Sequence, residues 1–216
     1  MEKSGSRELT FFELLYGVLF QPKILFKKVA EEPPLFYSFI VIVGVSIITS
    51  MLNVITTAPL DMQLPPEIPR EVIEFMSVFT SPVFSFMGTL LSLLFTLIFW
   101  FITSAIFQLV AEFLGGKGKG LGVMTVLGLA SLPQIFIIPF AVLTYIFALP
   151  GQLIALVSII LFVWSYIILP ILGFREVQQF SLGRALLTVF MPFIFTVAML
   201  IILMVSIMSL IIPFLG

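Results

Sequence analysis

The stretch from Leu121 to Phe174 runs 54 residues without an Asp, Glu, Lys or Arg. As one α-helix it would be about 80 Å long, against roughly 30 Å for the hydrocarbon core of a bilayer. It is too apolar to rest in water and too long for one crossing, so it must double back. Ala148-Leu149-Pro150-Gly151-Gln152 is the turn within it. That places one span at about 121–147 and the next at about 152–173.

Composition extends the conclusion to the whole chain. Apolar residues make up 61% and charged residues 10%, where soluble domains hold about 45–50% and about 25%. A net charge of −1 offers no basic balance for nucleic acid. Cysteine and histidine are both absent, which excludes disulfides, thiolate metal sites, thiol catalysis and the usual general base. No catalytic residue, metal ligand or cofactor is expected. Residues 1–33 carry lysines and glutamates throughout, and no cleavable signal peptide is read there.

The lead-in reads as two short helices. Thr10 to Glu13 is a T-x-x-E capping box with Leu9 and Leu14 as its staple. The helix it opens runs from Phe11 and stops before Pro22. Thr10, Glu13 and Gly17 form a narrow polar stripe on it. Pro22 opens the second, with Leu25, Phe26 and Val29 on one face and Lys23, Lys27 and Lys28 on the other. The apolar faces fit two partners equally: lipid at the cytoplasmic interface, with the lysines among anionic headgroups, or the protein's own helices.

Three further spans follow from the same criterion. Leu35 to Ile55 is the first span of the chain, and Thr56 to Ser81 is a loop with one helical piece from about Pro69 to Phe79. Ser81-Pro82 opens the second, which runs to about Leu114 with Gly115 as its cap. Gly115-Gly116-Lys117-Gly118 then forms a turn that must be solvated. Arg184 to Phe214 is the fifth span. The expected fold is an all-α integral membrane protein, one domain over residues 1–216. It is a bundle of five transmembrane helices with short interfacial N-terminal helices. With the N-terminus inside, the inner segments hold Lys3, Arg7, Lys23, Lys27, Lys28, Lys117, Lys119, Arg175 and Arg184, and the outer ones hold Arg70. That asymmetry sets the N-terminus in the cytoplasm and the C-terminus outside, in the plasma membrane.

No ionisable side chain falls at mid-depth in any span, which argues against a proton-coupled pathway. The candidate polar site is Ser131, Pro133, Gln134 and Pro139. Each proline removes a helix hydrogen bond and frees a carbonyl four residues back, at Leu129 and Ile135. The readings are a broken helix lining a pocket or hydrogen-bonding glue between helices. Gly44, Ser46, Ser50, Ser85, Gly88, Thr89 and Ser92 have spacings that permit close helix contact, within the chain or between copies.

Three stretches carry a resemblance: Leu19-Phe20-Gln21-Pro22-Lys23 with Glu32-Pro33-Pro34; the glycine turn leading to Leu127-Gly128-Leu129-Ala130-Ser131-Leu132-Pro133; and Trp164, followed by Gly173-Phe174-Arg175-Glu176-Val177 and Ser181-Leu182-Gly183-Arg184-Ala185. In this order they resemble the Yip family, the Ypt/Rab-interacting membrane proteins, in its prokaryotic branch. The resemblance implies five spans with a cytoplasmic N-terminus. It also implies an adaptor-like role among membrane lipids and other membrane proteins, as homo- or hetero-oligomers. The chain departs from eukaryotic members at Glu13-Leu14-Leu15-Tyr16-Gly17, which lacks the proline of their signature, so their binding of Rab-type GTPases is not carried over. A transporter for an uncharged or lipid-like substrate is the alternative.

Overall fold

The computed structural model describes residues 10–57, 72, 81–148 and 150–215. Its elements are all helical: α1 (Phe11–Phe20), α2 (Pro22–Glu31), α3 (Leu35–Thr57), α4 (Pro82–Phe113), α5 (Gly120–Ala130), a 3-10 turn (Leu132–Phe136), α6 (Ile137–Phe147), α7 (Gly151–Val163), a π-helical turn (Trp164–Ile168), α8 (Leu169–Val177) and α9 (Leu182–Leu215). The helix expected at Pro69–Phe79 and the staple residue Leu9 lie outside the described residues.

The starts follow local chemistry. The Thr10 amide and hydroxyl both donate to Glu13 Oε2, at 3.0 and 2.7 Å. Ser81 Oγ accepts from the Phe84 amide at 3.3 Å, with Pro82 in the first turn of α4. Each satisfies backbone or side-chain groups that a helix start leaves open.

α5 is the hub. α3, α4 and α8 pack around it, and α1 and α2 lean against it. The approach is close because glycine lines it. A Cβ on Gly173 would overlap Val126 Cγ1, and one on Gly128 would sit 2.8 Å from Ser38 Cβ. Ser38 Oγ donates to the Thr125 carbonyl at 3.3 Å across the same contact. α3 also packs against α4, the pair on which the small-residue contacts are expected. Gly44 and Gly88 have nothing within 4 Å of a Cβ, and of that group Ser46 makes a cross-helix bond, to Thr96 Oγ1 at 3.5 Å. Small residues show where backbones are able to meet; the partner surface decides where they do.

Among the described residues four helical stretches are long and apolar enough to cross a membrane: Phe86–Phe113, Gly120–Thr144, Gly151–Val177 and Leu182–Ser209. Their apolar side chains face outward in number, as Phe95, Phe99 and Leu109 do on α4 and Phe193, Ile194 and Leu200 on α9. The apolar segment Leu35–Ser50 at the start of α3 is shorter than these four, although the α3 helix itself continues to Thr57, 23 residues in all.

The structure sharpens the boundaries of the third, fourth and second spans. The third span is interrupted at the proline that the sequence singles out: α5 ends at Ala130 and a 3-10 turn holding Pro133 in its first positions follows. Pro139 then falls in the first turn of α6 rather than inside a long helix. The fourth span continues past Gly173 to Val177, since Phe174 and Val177 are buried in the core and packing outweighs their polar neighbours. At the end of α4 the cap residue is Leu114, and Gly115 follows it at φ +81°.

Candidate functional site

The glycine turn is a Schellman closure. The Gly115 amide donates to the Glu112 carbonyl at 2.9 Å and the Gly116 amide to Ala111 at 2.8 Å, which pairs carbonyls left open at the end of α4. α8 ends in the same way. Gln179 sits at φ +57° and the Phe180 amide donates to the Arg175 carbonyl at 2.8 Å. The two turns are clasped. The Lys117 amide donates to the Gln178 carbonyl at 3.3 Å, and the Gly118 amide to Gln178 Oε1 at 2.8 Å. Gln178 Nε2 donates to Gln108 Oε1 at 2.8 Å, and Gln108 Nε2 donates to Glu112 Oε1 at 2.7 Å and to the Gly118 carbonyl at 3.2 Å. Cβ atoms on Gly116 or Gly118 would collide with Gln178 or Val177. The four motif residues therefore serve a packed junction, with Lys117 and Lys119 exposed at its rim.

The candidate polar site is divided by the structure. Ser131 Oγ donates to the Gly128 carbonyl at 2.7 Å, and Pro133 is buried at the start of the 3-10 turn. Gln134 lies in that turn with its Nε2 buried and unpartnered. Pro139 is exposed and stands apart. The 3-10 turn packs against the π-helical turn of the neighbouring span, which holds a second unpartnered polar atom, Ser165 Oγ, on a residue only 1% exposed. Two helix irregularities thus abut, each carrying an unsatisfied group. In hydrocarbon such a group costs several kcal/mol unless something pairs it, and π-turns recur at functional sites.

The lead-in helices pack on the protein with one face. Leu14 and Val18 of α1 and Leu25, Phe26 and Val29 of α2 are buried, with α2 against α8 and α1 touching α5 and the 3-10 turn. Gly17 is buried against Leu25 rather than lying on a polar stripe. The opposite face is apolar too: Phe12, Tyr16, Phe20 and Ile24 are all more than half exposed. Lys23, Lys27 and Lys28 are exposed.

Gln108, Gln178 and Ser165 escaped the sequence reading. The four-residue step from Gln108 to Glu112 was a usable signal, as was a glutamine inside an apolar span. Gln178 gave none, standing in a stretch that reads as solvated. Among the described residues no cluster of acidic side chains could hold a metal ion.

Long, outward-apolar helices crossing at glycines define a multi-pass α-helical membrane protein. A family model described as the Yip1 domain matches residues 16–213, and the chain belongs to the Yip family. Neither a curated protein nor a solved structure matches it.

Proposed function

We propose that this Yip-family chain is a non-catalytic organising protein of the plasma membrane, adaptor-like, whose partners are membrane lipids and other membrane proteins. It forms one domain over residues 1–216. It crosses the bilayer five times, with α3 as the first crossing, its N-terminus in the cytoplasm and its C-terminus outside. The 23 residues of α3 amount to about 34 Å of helix, which supports that crossing. The charge bias supports the orientation.

The observation that carries the role is the two-faced lead-in hairpin. One face is clamped to the bundle, while Phe12, Tyr16, Phe20 and Ile24 form an exposed apolar surface beside lysines. Scattered exposed apolar residues mean little, but a contiguous stripe on a docked helix pair marks a contact surface. A photo-crosslinker at Phe20 tests this in native membranes. A reproducible protein or lipid adduct is expected, and an adduct-free Phe20 would overturn the role.

A second reading is favoured by one observation, the abutting breaks with Gln134 Nε2 and Ser165 Oγ unpaired. They support passage of an uncharged solute between the third and fourth spans. Glycerol flux into liposomes that Gln134→Leu abolishes, with folding intact, would establish it; flux equal to empty liposomes would remove it.

A further inference from the structure

We propose that the groove between α1 and α2 binds one phospholipid, its acyl chain laid between the helices and its phosphate on Lys28. The inference rests on the reading of the hairpin as a contact surface and names what that surface holds. The groove is open, has a volume of about 350 Å³ and is lined by the apolar Phe12, Tyr16, Gly17, Ile24 and Leu25 and by the polar Glu13, Gln21 and Lys28. That volume falls in the range of small-ligand sites.

Its floor is made by the close approach of Gly17 to Leu25, where a Cβ would stand 3.1 Å from Leu25 Cβ. A larger side chain at Gly17 would fill the space. The walls are aromatic and aliphatic, and Lys28 supplies a cation with no ion pair among the described residues. Glu13 is tied to Thr10.

Two features favour a lipid over a protein segment. α1 touches the 3-10 turn Leu132–Phe136, which lies well inside the span Gly120–Thr144. α1 therefore reaches beside the apolar part of the bundle while α2 packs on α8, whose last turn holds Arg175, and the outer face of α1 continues the lipid-facing surface. The groove also pairs apolar walls with one amine, its one carboxylate, Glu13, being engaged by Thr10, a combination that suits an acyl chain and the phosphate joined to it through glycerol. The three lysines then separate: of them only Lys28 lines the groove, and Lys23 and Lys27 contribute to the surrounding field.

The test uses the purified full-length chain with phosphatidylglycerol, phosphatidylethanolamine or diacylglycerol of the same acyl composition, read by native mass spectrometry. One retained phospholipid per chain is expected. Lys28→Gln should weaken retention of both phospholipids about fivefold, the worth of one lysine at an anionic group, and leave diacylglycerol unchanged. Lys23→Gln should change neither. Ile24→Glu should weaken all three lipids. Equal retention by Lys28→Gln and the parent chain, or an equal loss in Lys23→Gln, overturns the assignment.

A second measurement separates this failure from failure of the contact surface. Bimane on Phe20→Cys, in a chain without native cysteine, should be quenched by brominated lipid. Quenching together with unaltered retention in Lys28→Gln rejects the groove alone. No quenching rejects the lipid-facing hairpin and the groove with it.

Discussion

Gln178 Oε1 accepts the backbone amide of Gly118 at 2.8 Å, across 60 positions of sequence. That bond joins the turn after α4 to the end of α8, and the Gln108 amide closes it into a network. It also gathers Lys117, Lys119, Arg175 and Arg184 at one end of the bundle, with Arg184 Nη1 3.8 Å from where a Cβ on Gly115 would stand.

Gln178 is 1% exposed, and Gln178→Leu leaves the half-buried Gly118 amide and Gln108 Oε1 without these partners. A cost of about 1–3 kcal/mol follows from unpaired buried groups. A lower Tm in detergent is expected, with Gln178→Glu intermediate because it keeps the acceptor. An unchanged Tm in Gln178→Leu would mean the clasp is idle.

Gly173→Ala drives a methyl into Val126 Cγ1 and should lose about 1–3 kcal/mol by overpacking. Adding Val126→Ala should restore much of it. Gly44→Ala and Gly88→Ala, which meet nothing within 4 Å, should leave the Tm unchanged. Equal losses at all three glycines would contradict a hub built on α5 and α8.

Gln179 holds a left-handed φ of +57° at a position where glycine is the natural closure. Gln179→Gly should therefore stabilise by up to about 1 kcal/mol. Denaturant unfolding reads the gain, and a loss would show that its side chain is held by a contact worth more than the strain.

Gln134→Met and Ser165→Ala remove the two unpartnered polar atoms. Each should raise the Tm if the abutting breaks are dry, since an unsatisfied buried group costs about 1–3 kcal/mol. A fall in both, coupled in the double variant, would place a bound polar molecule between the spans and favour the transport reading.

Local chemistry made the helix starts readable. Thr10 with Glu13, and Ser81 with Pro82, mark α1 and α4, and Gly115 marks where α4 stops. These depend on neighbours within a few residues. Pro133 marks the break of the third span in the sequence, whereas the burial of Gln178 depends on what α8 meets in space, which one-dimensional periodicity does not encode. The aromatic stripe of α1 was hidden for a related reason. With apolar residues on both faces, composition alone does not say which face the bundle takes, and the docking of Leu14 and Val18 decides it.

An odd number of crossings is the claim on which sidedness depends. Single cysteines at Ser4, Lys119, Gln152, Ser181 and Gly216, probed in intact cells with a membrane-impermeant maleimide, test it directly. Five spans predict labelling at Gln152 and Gly216 from outside, and at Ser4, Lys119 and Ser181 only after the membrane is opened. Labelling of Ser4 and Gly216 from the same side would contradict it.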